Sequence, residues 1–212
     1  MSFSKYNLGH FTFAEISILF ITIITLFSGI YAIQLISDRA LVPETISQIK
    51  GYTKNFQTYS QNMGEFPGDD PLATTRLPQL INSSKKTING NGDKLIGRFY
   101  KSESDFVWIH MHAAGLTEGP VTPKNPFGGT YTFQSGTITE SHVSVLLCLN
   151  NVPSGAAKEI DKQIDDEISS SGQVQGSEKK DIAKYDPQFS AKGYYLTKKY
   201  TLCVVVPTLS HE

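Results

Sequence analysis

Residues 9–39 read GHFTFAEISILFITIITLFSGIYAIQLISDR, and the fold turns on how this stretch is understood. From Ile16 to Ile36 it holds no charged residue, and most positions are Ile, Leu or Phe. At about 1.5 Å of rise per residue the run makes a helix of about 32 Å, the thickness of a bilayer's hydrocarbon core. It ends at Gln34-Leu35-Ile36-Ser37-Asp38-Arg39, with no small-x-small cleavage site, and it exceeds the apolar core of a secretory signal peptide. The sequence therefore predicts a membrane helix retained in the mature protein. The alternative is a helix buried inside a soluble domain. That needs a core covering it on every side, and the remaining chain is too polar to supply one.

Working outward, the short N-terminal flank carries Lys5 and the α-amine as its positive charges. Positive charge favours the cytoplasmic side, so the N-terminus is expected inside and the residues beyond 38 outside. The two cysteines, Cys148 and Cys203, fit an exported domain, where an even count reads as one disulfide. Such a bridge closes a loop worth about 4 kcal/mol in the chain-entropy model. Two unpaired core cysteines are the other possibility. Over the whole chain, Lys+Arg 19 against Asp+Glu 20 leaves a formal net charge of −1, with no clustered basic surface for nucleic acid. The pairs Lys85-Lys86, Lys179-Lys180 and Lys198-Lys199 read as solvated faces.

Glu15 sits directly before the uncharged run, behind Phe11-Thr12-Phe13-Ala14. If the helix starts near Phe11, this carboxylate lies one turn inside it. There an ionised group costs about 2.5–3.5 kcal/mol unless it is paired or reaches the headgroups. A Glu that simply marks the helix start at the interface is the plainer reading. Thr22, Thr25, Gly29 and Ala32 form a small-residue stripe at three- and four-residue spacing, of the kind that lets helices approach closely in membranes. Ordinary scatter of small residues explains it equally well.

The string Gly9-His10-Phe11-Thr12-Phe13-Ala14-Glu15 followed by the apolar run resembles the N-terminus of type IV pilins and type II secretion pseudopilins. In that family a hydrophilic leader ending in Gly is removed by a prepilin peptidase, and the new N-terminal residue, usually Phe, is methylated. The fifth mature residue is Glu. Cleavage after His10 makes Phe11 first and Glu15 fifth; cleavage after Gly9 makes His10 first and Glu15 sixth. The resemblance implies that Glu15 pairs with the freed amine of a neighbouring subunit, so that two costly charges become cheap together.

Beyond Arg39 the pattern predicts that the helix continues. Val42, Ile46, Ile49, Phe56 and Met63 recur at helical spacing, with Tyr52 and Tyr59 near the same face and Gln48, Lys50, Lys54, Gln57 and Gln61 elsewhere. Pro43 marks a kink or the start of the second half. The turn-rich Met63-Gly64-Glu65-Phe66-Pro67-Gly68-Asp69-Asp70-Pro71 stops the helix, and its Pro-Gly-Asp also resembles the pilin family. Phe106 to Leu116 resembles the short helix that many pilin-like proteins place before their sheet, and Pro123 to Tyr131 resembles the loop entering its first strand. Strands are predicted over Gly129 to Gln134, His142 to Leu149, Tyr194 to Thr197 and Tyr200 to Val206. Ala156 to Ile168 predicts a helix with Asp161, Asp165 and Asp166 facing out, and Gly172 to Lys192 a polar loop.

The predicted fold is α+β and pilin-like: a long N-terminal helix packed on a small antiparallel sheet. Its parts are a leader (1–10), a transmembrane and assembly helix (11–37), an amphipathic continuation (38–63) and an extracytoplasmic head (64–212). Asn89-Gly90-Asn91-Gly92-Asp93 begins like a calcium loop, but Lys94 and Tyr100 stand where Gly and Glu belong, so a plain turn is preferred. His110 and His112, two apart on a helix, diverge and lack further ligands, and Asp69-Asp70 and Asp165-Asp166 are adjacent carboxylates that do not converge. No metal, cofactor or catalytic residue is assigned, and the expected protein is not an enzyme. The resemblance implies a subunit of a pilus or secretion pseudopilus, processed at Gly9, His10 and Phe11 and assembling through Glu15. Its partners are other pilin-like subunits, the prepilin peptidase and an inner-membrane assembly platform. It is stored in a bacterial inner membrane with its head in the periplasm. An anchored binding protein that never polymerises is the alternative.

Overall fold

The structure, a computed structural model, describes residues 12–77, 87–97, 103–118, 122–139, 142–178, 193–195 and 199–208; the side chains of 30–37, 138, 139 and 142 are not described. It separates into two compact units, Met1–Ser37 and Asp38–Glu212.

The first unit holds most of helix α1, Phe13–Ala40. The chain breaks helical pairing at Leu41, and α2 runs Val42–Met63 with Pro43 in its first turn, where the missing N–H costs nothing. The predicted continuation is thus a separate helix. It stops at Gly64, whose φ of 73° closes the C-terminus through an N–H bond to the Ser60 carbonyl at 2.9 Å. The buried stripe of α2 is Val42, Thr45, Ile46, Ile49, Phe56 and Tyr59. Lys50, Lys54 and Gln61 lie exposed on the other side.

A short α3 (Ala73–Arg76) and a central α4 (Glu103–Ala113) follow. In α4 the consecutive residues Val107 to Met111 are all buried, so this turn and a half of the helix is covered all round. The strands are β1 Tyr131–Thr139, β2 His142–Pro153, β3 Val174–Ser177 and β4 Lys199–Val206, with α5 (Ser154–Ile164) between β2 and β3. The sheet is antiparallel in the order β1-β2-β4-β3. The chain is therefore α+β, helices with a small antiparallel sheet.

Strand alternation puts Tyr131, Phe133, Leu147, Leu149, Leu202, Val204 and Val174 on one face, against Phe56, Trp108 and Ile160. Trp108 and Phe56 each meet Phe133 at 5.1 Å between ring centroids, and Tyr52 meets Trp108 edge-on at 5.0 Å. Trp108, Phe56 and Phe133 are fully buried and each stabilises the head by roughly 1.5–3 kcal/mol, while Tyr52 is partly buried. Leu146, Cys148 and Cys203 form a smaller buried cluster on the opposite face.

Four expectations need correction. Tyr194 and Tyr195 are not in a strand, while residues 196 and 197 lie outside the described set. The sheet's remaining edge is β3, inside the segment expected to be a loop; four residues with Gly and Ser are too short and too polar to signal a strand until β4 supplies the ladder. Helix α5 ends at Ile164 and not Ile168, because the carboxylates of Asp165 and Asp166 draw the following backbone N–H groups out of the helix. Asp161, expected to face outward, is fully buried.

Candidate functional site

The features offered by the first unit begin with its surface. Every large apolar side chain described on α1 is exposed, from Phe13 at 88% to Phe27 at 70%. Ile18, Leu19, Phe20, Ile21, Ile24 and Leu26 add to an apolar surface on every side of the helix. Water does not stabilise such a surface; lipid or other helices do. The hydroxyls of Thr22, Thr25 and Ser28 donate back to carbonyls of their own helix at 2.8–3.1 Å, so none asks for an outside partner. A side chain at Gly29 would meet nothing within 4 Å. The side chain of Ala32 lies outside the described set.

Glu15 is held by Thr12. The Thr12 N–H donates to Glu15 Oε2 at 2.8 Å and the Thr12 hydroxyl donates to the same oxygen at 2.9 Å, while the Glu15 N–H points to Thr12 Oγ1 at 3.4 Å. The Thr12 carbonyl accepts the first helical bond, from Ile16 at 3.1 Å. This is a capping box, and its Thr-x-x-Glu signature stands plainly in Thr12 to Glu15. Weighing Glu15 as a charge alone misses that pattern. Gly9, His10 and Phe11 lie outside the described residues.

In the head, the carboxylates and imidazoles that drew attention are spent on their own loops. Asp69 is buried and accepts N–H bonds from Gly92 (2.7 Å), Asp93 (3.1 Å) and Lys94 (2.7 Å), so the Asn89 to Lys94 turn wraps around its carboxylate. Asp70 accepts from the Tyr59 hydroxyl at 3.0 Å and pairs with Arg76 at 3.3 Å. His110 is buried: its Nδ1 accepts the Gly68 N–H at 2.9 Å and its Nε2 donates to the Ile88 carbonyl at 2.7 Å. Burial pushes its pKa down, keeping it neutral. His112 Nδ1 bonds the Thr117 carbonyl at 2.9 Å. Together these bonds stitch the Pro-Gly-Asp turn, the 87–97 loop and α4 into one body.

Asp161, Asp165 and Asp166 bring oxygens within 4.8 Å of one another. Asp161 accepts the Tyr194 hydroxyl at 2.6 Å and the Glu167 N–H at 3.2 Å, and burial pushes its pKa up to about 6. Asp165 accepts the N–H groups of Gln173 and Val174, and Asp166 accepts the Ser171 hydroxyl at 2.7 Å and the Ile168 N–H at 2.8 Å. The loop's own donors satisfy all three, and no cation is assigned.

Cys148 and Cys203 form a disulfide between directly opposed residues of β2 and β4, with Cα atoms 4.0 Å apart. Among the described residues no helix is long and apolar enough to cross a membrane; the side chains of 30–37 are not described, so the apolar run described on α1 reaches only Gly29, short of the about 20 residues a span requires. No family model, no curated protein and no solved structure matches the chain.

Proposed function

We propose that this chain is a pilin-like structural subunit, stored in a bacterial inner membrane by its N-terminal helix and assembled through that helix into a pilus or secretion pseudopilus. The observation that carries the reading is the apolar surface exposed all round α1. The uncharged run extends in sequence to Ile36, beyond the described side chains, to a length that suits a bilayer. In a filament, contacts between neighbouring helices replace lipid, and Glu15 pairs with the processed N-terminal amine of the next copy after cleavage near Gly9, His10 and Phe11. The partners are other pilin-like subunits, the prepilin peptidase and the assembly platform; the head faces the periplasm, and the role is mechanical and not catalytic.

A second reading has its own observation. Because Thr12 already satisfies Glu15 within the chain, an anchored binding protein that does not polymerise needs no further partner for that charge. Two measurements separate the readings. Mass analysis of the mature chain reports whether the leader is removed. Glu15→Ala and Glu15→Gln divide cap from charge, since Gln still serves a capping box but carries no charge. If subunits pair through the charge, both variants insert in the membrane and both lose filament assembly. A Glu15→Gln variant that assembles normally, or a chain found intact from Met1, sinks the subunit reading.

A further inference from the structure

His110 of α4 is fully buried, and both of its ring nitrogens are engaged by backbone groups from other parts of the head. The Gly68 nitrogen lies 2.9 Å from Nδ1, and the Ile88 carbonyl oxygen lies 2.7 Å from Nε2. We infer that His110 is an acid-released latch: the neutral ring seats the turn around Gly68 on α4, and the protonated ring lets that turn go. The inference stands apart from the assembly reading, because it concerns the head alone.

The partners themselves fix the proton. A backbone N–H can only donate and a backbone carbonyl can only accept, so Nδ1 is bare and Nε2 carries the hydrogen. In the imidazolium both nitrogens are donors, and Nδ1–H would face the Gly68 N–H across 2.9 Å. Protonation therefore sets two donors against each other and leaves a buried N–H without its acceptor. The turn cannot yield in place. Gly68 has a φ of 91°, and a Cβ there would fall 2.7 Å from both the Glu103 carbonyl oxygen and Val107 Cγ2, so its backbone is pressed onto α4. Moving away takes part of the 87–97 loop with it. The Gly90 N–H bonds the Asp70 carbonyl at 2.9 Å, and the Asp69 carboxylate holds the N–H groups of Gly92, Asp93 and Lys94. The ends of that loop stay anchored, Ile88 on Nε2 in either protonation state and Ile96 on Ser135.

The surroundings decide the sense of the switch. Tyr59 of α2 stacks on the imidazole at 6.1 Å between ring centroids, and Phe106 of α4 at 6.4 Å. From the turn, Asp70 favours a charge on the ring, but its oxygens already serve the Tyr59 hydroxyl, the Leu72 N–H and Arg76 of α3. Asp69 faces the donors of residues 92–94, and the 87–97 loop brings a carbonyl to the ring, from Ile88. His112, further along α4, bonds the Thr117 carbonyl. Burial outweighs Asp70 and holds the His110 pKa below its ordinary value. The released ring takes up a proton more readily than the seated one. The latch is therefore closed at neutral pH and weakens as pH falls below about 6.5.

The test is hydrogen exchange read by mass spectrometry on the full chain in detergent, with rates corrected for the intrinsic pH dependence of amide exchange. Peptides covering 64–71 and 90–94 are compared with peptides covering strand residues 143–149 and 200–206. Between about pH 7.5 and about pH 5.5, one unit below the ordinary histidine value, the two loop segments should lose up to about tenfold in protection while the strands keep theirs. His110→Gln does not titrate, so its loop protection should be the same at both pH values. If that variant fails to fold, the contrast between loops and strands in the wild type decides. Loop protection that does not change with pH overturns the inference, as does a loss shared equally by the strands. An equal loss in folded His110→Gln also overturns it, since the proton would then act at another group.

Discussion

Replacing both Cys148 and Cys203 by Ala measures how much of the head's stability acts through its unfolded chain. The bridge spans a sequence separation of 55. In the chain-entropy model, freeing a loop of that length gives the denatured ensemble about 4 kcal/mol of additional stability. The native state loses less, because the β2–β4 ladder runs from Val145 to Pro153 and still sets the register without the bond. Removing two buried sulfur atoms from the cluster with Leu146 adds about 1 kcal/mol of lost packing. At roughly 2–4 °C per kcal/mol for a domain of this size, the melting temperature should fall by about 10–20 °C. Far-ultraviolet circular dichroism of the solubilised full chain reads the transition, and urea titration tests its origin. If the bridge works by restricting the unfolded chain, the double variant exposes more surface on unfolding and its m-value rises. A fall of less than about 3 °C with an unchanged m-value would refute this account and place the stability in the ladder.

Asp161→Asn should stabilise the head near pH 7.5 by up to about 3 kcal/mol, because a carboxyl held at about 6 instead of near 4 is penalised whenever it is ionised. The wild type should gain that stability as pH falls from about 6 toward 4, and the variant should not; Asn can keep both bonds by accepting from Glu167 and donating to the Tyr194 oxygen. Parallel pH profiles in thermal melts would dismiss the idea. Gly90→Ala should cost about 1–3 kcal/mol, since its Cβ would lie 2.3 Å from the backbone of Asp69, which cannot turn aside; a variant within about 0.5 kcal/mol of wild type would show that the loop yields. His110 acts in the opposite sense to Asp161: its lowered pKa means stability is lost as pH falls below its unfolded value of about 6.5, and His110→Gln should flatten that part of the melting profile.

The parts of the fold that were legible in the sequence are those where one residue pattern has one physical solution. The stripe from Val42 to Tyr59 could bury itself only as a helix face, and Gly64 could only end it. Val143 to Leu149 and Tyr200 to Val206 carry enough β-branched residues to declare themselves as strands. The rest depended on partners distant in the chain. The strand Val174–Ser177 exists because β4 is beside it, and Asp161 is buried because Tyr194 reaches it from thirty-three residues away. The same holds for Asp69, whose backbone donors come from residues 92 to 94. At Glu15 the difficulty was different. The Thr12-x-x-Glu15 capping signature is local, but a charge beside an apolar run has a second physical reading, its desolvation cost, that points to the same residue.

That cap and the pairing expected in a filament need not compete. Both Thr12 bonds end on Oε2, and an ionised carboxylate has acceptor sites on each oxygen. Thr12 therefore fixes where the carboxylate sits and leaves Oε1 for an ammonium group. A carboxylate that kept its rotamer freedom would have to be ordered at the moment of assembly, at a cost of up to about 2 kcal/mol for a side chain such as Glu. One already fastened to the first turn meets its partner without that cost. The cap also lowers the expense of waiting, since a carboxylate holding two donors is less poorly solvated at a membrane surface than a bare one. On this argument Thr12 is a positioning residue for Glu15, and among the described residues no positive group pairs with that carboxylate.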